Sequence, residues 1–367
     1  MRNYYVLSNG RLQRENNTVY SVGADGTKRP LPVEDIDTLF VYGEVDLNSR
    51  LLNFLAQRKI VLHVFNYYGF YSGSFYPREY LHSGYLLVRQ VDHYSEPQKR
   101  LTLARELVAA SAHSLLRNLA YYERRKGKQE TAAEPEGEIV SDSSPMEETE
   151  RLIDSAVELP SWNEDEPPDP FESSATFTTS AALAHLRTTV ESLSSLLPAQ
   201  QEVNQLRGIE GKMRERYYAA WGHILSGDWD FTRRVKRPPD NEVNALISFG
   251  NSFLYGICLS EIYRTQLTPT ISYLHEPGAR RFSLALDLSE IFKPLLIDRT
   301  IFKLLNKNQL KESHFDRSMD GCLLNDAGRK LYLGALEERL ATTIKHRRLG
   351  RSISYRHLIW LECYKLI

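Results

Sequence analysis

The sequence predicts an α+β fold of two domains. A small N-terminal β-sheet domain with one helix occupies about residues 1–90, and a larger all-α domain occupies about 95–367. Three observations predict it. At 367 residues the chain exceeds what one ordinary hydrophobic core organises. Its first 90 residues are short runs of Val, Ile, Phe, Tyr and Leu separated by turn dipeptides. From Glu96 onward, apolar residues recur every three or four positions, the period of an amphipathic helix.

The elements follow in order. Asn3–Ser8 is an apolar-aromatic run closed by Asn9-Gly10, a hairpin signal, and Val19–Val22 precedes Asp25-Gly26, a second one. Thr38–Tyr42 and Ile60–Asn66 read as strands. Between them, Ser49–Arg58 carries Leu51, Leu52 and Leu55 on helical spacing, with Asp46 or Asn48 as cap. Tyr67–Gly73 holds aromatics and glycines, and Pro77 ends the β-rich stretch. Leu101, Ala104, Val108, Ala112, Leu115 and Leu119 then form the stripe of a long helix, which ends in Arg124-Arg125-Lys126, cations suited to a helix carboxyl end. Further helices are expected at Leu183–Leu197, Leu206–His223, Asn241–Leu267, Phe282–Leu305 and Asp326–Arg348.

Charge is unevenly distributed. The formal net charge is −1, yet residues 129–174 hold 15 acids, six prolines and one base, Arg151. The rest of the chain keeps 45 basic against 32 acidic residues, a net of +13, suited to a polyanion such as DNA or RNA. Residues 129–174 bury too little apolar surface to offset their ordering entropy and read as a mobile insertion. Three scattered cysteines, Cys258, Cys322 and Cys363, form no C-x-x-C pair, which argues against a thiolate zinc site or a disulfide framework. No apolar signal core opens the chain, and no run approaches the roughly 18 apolar residues of a membrane span. The expectation is a soluble protein of a reducing cytoplasm. P-loop, Rossmann and G-x-S-x-G patterns are missing, which weakens nucleotide-hydrolase, dehydrogenase and esterase readings.

Four constellations carry candidate chemistry. In Leu206–Lys212, Glu210 lies between Gly208 and Gly211 within a helical pattern. Either the glycines admit a ligand or backbone beside the carboxylate, or they permit tight helix packing and Glu210 is a solvated charge. His275 precedes a Pro-Gly turn. Asp287 and Glu290, three residues apart, place two acids on one face of an apolar helix. Buried carboxylates need a partner or a metal, and Arg280, Arg281, Lys293 and Arg299 are available for pairing. Together, these carboxylates and the imidazole form an oxygen/nitrogen set suited to Mg²⁺ or Mn²⁺ and to phosphodiester chemistry. Arg233, Arg234, Lys236 and Arg237, before Pro238-Pro239, form a phosphate-binding loop or a solvated one. Asn244, on the helix behind them, orients a phosphate or a metal ligand, or makes a core hydrogen bond. A last basic stretch, Lys345–Arg348 through Arg356, fits a nucleic-acid backbone or a helix carboxyl cap.

The segments Leu206–Gly211, Arg237–Leu246, that of His275, Leu284–Pro294, Leu296–Arg299, Leu324–Arg329 and Ser354–Arg356, in this order and spacing, resemble the CRISPR-associated integrase that inserts new spacers. That protein is the catalytic subunit of the adaptation complex. The resemblance covers most of the chain outside 129–174. It implies an N-terminal β domain before a helical catalytic domain, and a metal site of Glu210, His275 and Glu290 with Asp287 supporting it. It implies Mg²⁺ or Mn²⁺, and attack by a DNA 3′-hydroxyl on a phosphodiester of the CRISPR repeat. Its candidate DNA contacts are Arg233, Arg234, Lys236, Arg237, Asn244, Arg280, Arg281 and Lys293. It also implies a homodimer through the β domains and a heterohexamer with a small ferredoxin-like CRISPR-associated partner. Many related systems add an iron–sulfur exonuclease. The family often has Phe-Arg-Pro where this chain has Phe292-Lys293-Pro294, which keeps the charge and loses the forked guanidinium. Two rival functions are a DNA-binding scaffold without chemistry and a structure-specific nuclease outside CRISPR adaptation.

The 15 acids of the insertion suggest that it mimics DNA and restrains the basic body. Deleting 129–174 is then expected to tighten DNA binding at low salt, with the effect fading as salt rises. Unchanged affinity at low salt in such a titration would make the segment a tolerated spacer.

Overall fold

The computed structural model describes residues 2–77, 81, 83–132, 178–227, 229, 231–236, 238–278, 282–318, 321–346 and 348–367. Most of the acidic stretch, together with Arg237, Arg280 and Arg281, lies outside the described residues.

The N-terminal region is built from two four-stranded sheets. The first has the order β1 (Arg2–Val6), β5 (Ile36–Val41), β7 (Val61–Phe65), β8 (Tyr71–Phe75). Its first three strands are parallel and β8 is antiparallel to β7. The second has the order β4 (Lys28–Leu31), β3 (Thr18–Gly23), β2 (Gly10–Glu15), β6 (Val45–Asp46). Helix α1 (Ser49–Gln57) starts at Asn48, whose side chain accepts from the Leu51 amide at 3.0 Å. The first sheet is buried on both faces, as parallel sheets are. Leu39, Val41 and Leu62 pack with Leu12, Val19 and Phe54 in a core of their own, while Phe40, Tyr42 and Phe65 join the large core of the helical region.

Asp25-Gly26 turns β3 into β4 as expected, but Asn9-Gly10 does not close a hairpin. Strand β1 pairs in parallel with β5, and β2 belongs to the other sheet. Asn9-Gly10 is the crossing between sheets. The Asn9 side chain accepts from the Glu44 amide at 2.8 Å, and the Gly10 amide donates to the Glu44 carbonyl at 3.0 Å. Gly10 has φ 152°, and a Cβ there would stand 2.1 Å from the Val22 carbonyl oxygen. The true hairpin turn is Asn16-Asn17, with Asn16 at φ 52°.

The helical region comprises α2 (Gly84–Ser95), α3 (Pro97–Ala132), α4 (Thr179–Ser195), α5 (Val203–Ala219), α6 (Trp221–Ile224), α7 (Glu242–Tyr263), α8 (Ser283–Phe292), α9 (Arg299–Asn306), α10 (Asp326–Ala341) and α11 (Tyr355–Tyr364). Helix α2 falls across the expected domain boundary and has no counterpart in the sequence reading. Helix α3 runs beyond Arg124-Arg125-Lys126 into the first residues of the expected insertion. The helix expected over Phe282–Leu305 is interrupted by a π-helical turn at Lys293–Asp298, where Pro294 supplies no amide. Two hairpins, β9 (Phe315–Ser318) with β10 (Gly321–Leu324) and β11 (Thr343–His346) with β12 (Arg351–Ser354), punctuate a region read as all helix. The second replaces the end of the helix expected to reach Arg348, because β-branched Thr342, Thr343 and Ile344 favour a strand. Lys345 and Arg348 are thus on a hairpin and not at a helix carboxyl end.

Helix α7 has the length and mean hydropathy of a membrane span, and 83% of its apolar window is buried within the fold. A helix apolar on all sides belongs at the centre of a core, and α7 packs Phe249 and Phe253 against Tyr42 and Phe40 of the sheet. His63 of β7 is fully buried, with its ring nitrogens 2.5 Å from Ser74 Oγ and 2.8 Å from Ser260 Oγ of α7. Cys258, Cys322 and Cys363 are all free and buried.

Arg356, a member of the last basic stretch, is not a DNA contact. Its guanidinium donates to Glu261 at 2.8 Å, to the Asn3 side chain at 3.1 Å and to Asp37, which also pairs with Arg264 at 2.5 Å. The cluster ties β1 and β5 to α7 and α11. Removing one partner from such a partly buried set leaves charges uncompensated. Arg356→Ala is therefore expected to lower unfolding free energy by about 3 kcal/mol. Lys303→Ala, which breaks an exposed pair with Glu338, should change it by no more than about 0.5 kcal/mol. Urea unfolding of the two variants beside the wild type measures both.

Candidate active site

The loop after α7 is wound around one carboxylate. Asp287, on α8 and 0% exposed, accepts from the backbone amides of Tyr273 at 2.7 Å, Leu274 at 3.0 Å and His275 at 3.0 Å. It also accepts from His275 Nδ1 at 2.8 Å. The Ser272 hydroxyl donates to the His275 carbonyl at 2.6 Å. These bonds fix the imidazole tautomer and leave Nε2 as the nitrogen available to the cleft. Asp287, grouped with the catalytic residues as the support of the metal site, does not itself line the cleft, and its contact with His275 makes it a positioning residue.

Glu290 lies one helical turn beyond Asp287. Its Oε2 meets Arg214 Nη2 of α5 at 2.6 Å, and its Oε1 pairs with Lys293. Burial pushes the Glu290 carboxyl up, but Lys293 and Arg214 outweigh it and hold the group at about 2. Glu210, one turn before Arg214 on α5, stands 3.6 Å from the same Nη2. Gly208 and Gly211 do not serve helix packing, because a Cβ at either would meet nothing within 4 Å. The space beside Glu210 is open to a ligand. Glu210, His275 and Glu290 line one cleft of about 1140 Å³, together with Tyr218, Asn251 and Tyr255.

The same cleft also has a cationic lining. Arg233 and Lys236 are exposed at the cleft, and half-buried Arg234 lies between them. Arg234 donates to Asn244 Oδ1 at 3.0 Å and to Ser248 Oγ at 2.8 Å. Asn244 is fully buried. Its amide donates to the Arg233 carbonyl at 3.0 Å and to Asp240 at 2.7 Å, and its oxygen accepts from the Val235 amide at 3.1 Å. Asn244 therefore cannot be the DNA contact expected of it. It fastens the basic loop to α7. Lys293 lines the cleft but is engaged with Glu290, and Arg237, Arg280 and Arg281 lie outside the described residues.

Comparison with known proteins places this arrangement. The family model "CRISPR associated protein Cas1" matches residues 4–159 and 172–338. The chain belongs to the Cas1 family. It is 41% identical over 367 residues to a CRISPR-associated endonuclease Cas1 of Thermodesulfovibrio yellowstonii, covering 100% of this chain and 95% of that relative. Among solved structures it is similar to a CAS1 protein from Thermotoga maritima, with 34% identity, a TM-score of 0.76 and coverage of 100% and 96% of the two chains. The same fold recurs at 15% identity and TM-score 0.73 in a casposase bound to an integration product, covering 99% of this chain and 90% of that one. It recurs again at 16% identity and TM-score 0.74 in a Cas6-RT-Cas1–Cas2 complex, covering 100% of this chain and 34% of that one.

Within this Cas1-family chain, the donors suit a hard divalent cation in kind: two carboxylates and an imidazole whose other nitrogen is anchored. They are not gathered around a point. Among the described residues, no three His, Cys, Asp or Glu side chains stand close enough to hold one ion. The reason is visible at Glu290, whose oxygens are both taken by cations of the chain itself.

Sequence reasoning did not find Arg214. Its signal was the four-residue step from Glu210, which puts both on one face of α5. Nor did it find Asp298, fully buried behind Arg214, where burial pushes the carboxyl up to about 7 against the pull of Arg214. The native state thus holds this proton more tightly than the unfolded chain does. The associated stability is full below about pH 4 and is lost as pH rises through about 7. Asp298→Asn keeps the shape without the titration. The stability of the wild type relative to this variant is expected to fall by on the order of a few kcal/mol between pH 4 and pH 7.5, then level off. Urea unfolding across that range measures it, and a pH-independent difference would assign the titration elsewhere.

Proposed function

We propose that this chain is a divalent-cation-dependent DNA endonuclease and integrase of CRISPR adaptation. The observation that carries the reading is one cleft lined both by Glu210, His275 and Glu290 and by Arg233, Arg234 and Lys236. These cations attract the phosphates of a DNA fragment and of the repeat without reading their sequence. Glu210, Glu290 and His275 Nε2 would hold Mg²⁺ or Mn²⁺. Such a cation would supply charge neutralisation at the phosphorus oxygens and lower the pKa of an attacking hydroxyl. Asp287 keeps the His275 proton on Nδ1, so that Nε2 presents its lone pair. In the reaction the fragment's 3′-oxygen bonds to phosphorus as the bond to the repeat's own 3′-oxygen breaks. The leaving oxygen takes up a proton, and the number of phosphodiesters is unchanged. Water in place of the fragment's hydroxyl gives hydrolysis.

The Cas6-RT-Cas1–Cas2 complex and the casposase bound to an integration product, which share this fold, support DNA and a Cas2-type protein as partners. The homodimer, the heterohexamer with a ferredoxin-like partner and an iron–sulfur exonuclease remain part of this proposal on the family resemblance. The pairing of Glu290 with Arg214 and Lys293 is what a DNA-binding scaffold without chemistry would also display, so the test must separate the two.

Purified protein with its small partner, a labelled fragment bearing free 3′-hydroxyls and a supercoiled plasmid carrying a CRISPR repeat provide that test. Joining is expected only with Mn²⁺ or Mg²⁺. Glu210→Ala and His275→Ala should abolish it while DNA binding persists. Asp287→Asn, which weakens the support of His275 and of the loop that carries it without removing a cleft residue, should reduce it by about 10–100-fold. Joining that survives both alanine substitutions would misplace the site. Tight DNA binding without joining by the wild type would favour the scaffold.

A further inference from the structure

Arg214 stands where two carboxylates meet. Its Nη2 is 2.6 Å from Glu290 Oε2, 3.6 Å from Glu210 Oε1 and 3.5 Å from Ser111 Oγ. Its side chain is only 12% exposed. Its other terminal nitrogen, Nη1, is buried without a hydrogen-bond partner among the described residues, and so is Oδ2 of Asp298, the buried acid behind it. An arginine retained for stability alone would have its donors satisfied, because a buried unpaired donor is costly. This guanidinium instead brings one nitrogen within ion-pair distance of both carboxylates, hydrogen-bonded to Glu290 and in looser contact with Glu210.

We propose that Arg214 is a resident counter-cation of the candidate metal site. It holds Glu210 and Glu290 in the cleft while no divalent ion is bound, and it raises the ion concentration the site requires. The proposal rests on the reading of Glu210, His275 and Glu290 as ion ligands. Without the guanidinium, two carboxylates in one sheltered cleft would repel each other, and Glu290 would keep only Lys293. With it, Glu210, Glu290, Arg214 and Lys293 form a set with no net charge. An entering divalent ion must weaken the contacts of Glu290 with Arg214 and Lys293, and it does so against two nearby positive charges. The site therefore binds its ion weakly when empty of DNA. The phosphates of bound DNA add the negative charge that restores balance, so that ion and DNA occupancy favour each other. Arg214 is a positioning residue in this scheme and touches no reacting atom.

The experiment is a direct Mn²⁺ titration of the purified full chain without DNA, by electron paramagnetic resonance of the free ion, with thermal unfolding beside it. Arg214→Gln and Arg214→Met remove the charge and are expected to bind Mn²⁺ at least about tenfold more tightly than the wild type. Arg214→Lys keeps the charge and should stay within about threefold. The two neutral variants should unfold at lower temperature without metal and regain most of the loss in saturating Mn²⁺, because the ion takes over the counter-charge. If a neutral variant folds only with Mn²⁺ present, that too supports the role. Unchanged or weaker Mn²⁺ binding in both neutral variants, or a stability loss that Mn²⁺ does not restore, overturns it. Glu210→Ala and His275→Ala run as controls. If they abolish Mn²⁺ binding, a failure concerns Arg214 alone, whereas binding that survives them removes the metal-site reading itself.

Discussion

Asp287 accepts three successive backbone amides, from Tyr273 to His275, and the His275 ring, all from a position of 0% exposure. Everything chemical in the cleft depends on this. An irregular loop has no ladder to satisfy its amides, so a buried carboxylate supplies the acceptors that a sheet or helix would. One side chain thus orders the loop, selects the histidine tautomer and aims Nε2. Because Asp287 is on α8, the histidine is also held in register with Glu290, one turn away on the same helix.

Helix α7 plays the corresponding part for the cationic lining. It is buried nearly all round and so is among the least movable elements of the fold. At its first turn Asn244 captures the backbone of the basic loop, and Ser248 and Asn244 together hold the Arg234 guanidinium. Long cationic side chains are costly to order individually. Anchoring their backbone to a rigid helix meets part of that cost in advance, and leaves Arg233 and Lys236 exposed at the cleft.

Along the same cleft lies a sheltered group of charges whose balance is local. Glu290 is held ionised by Lys293 and Arg214 against its burial, while Asp298, a short way behind, is pushed the other way because its share of Arg214 does not compensate for its own burial. Two acids near one guanidinium are thus shifted in opposite directions. The distinction turns on which oxygen reaches the guanidinium and not on residue type.

The sequence by itself determined the order of a β-rich region and a helical one, a cap of α1 at Asp46 or Asn48, the turn at Asp25-Gly26 and the residue types of a candidate hard-cation site. These are local properties: side-chain period, turn chemistry and donor identity belong to a few neighbouring residues. Family motifs brought Glu210, His275 and Glu290 into one expectation, and the fold sets them around one cleft. What tertiary structure alone decided is pairing over long range. It made Asn9-Gly10 a crossing between sheets, because β1 found β5 and not β2. It engaged Arg356 with Asn3, Asp37 and Glu261, partners far along the chain, while Asn244 was buried in hydrogen bonds with the basic loop shortly before it in the chain. It placed Arg214 against Glu290, 76 residues away. A charge in a sequence is only a residue type. Whether it binds a phosphate, a carboxylate or the backbone follows from which groups share its desolvated surroundings, and that is settled when the elements pack.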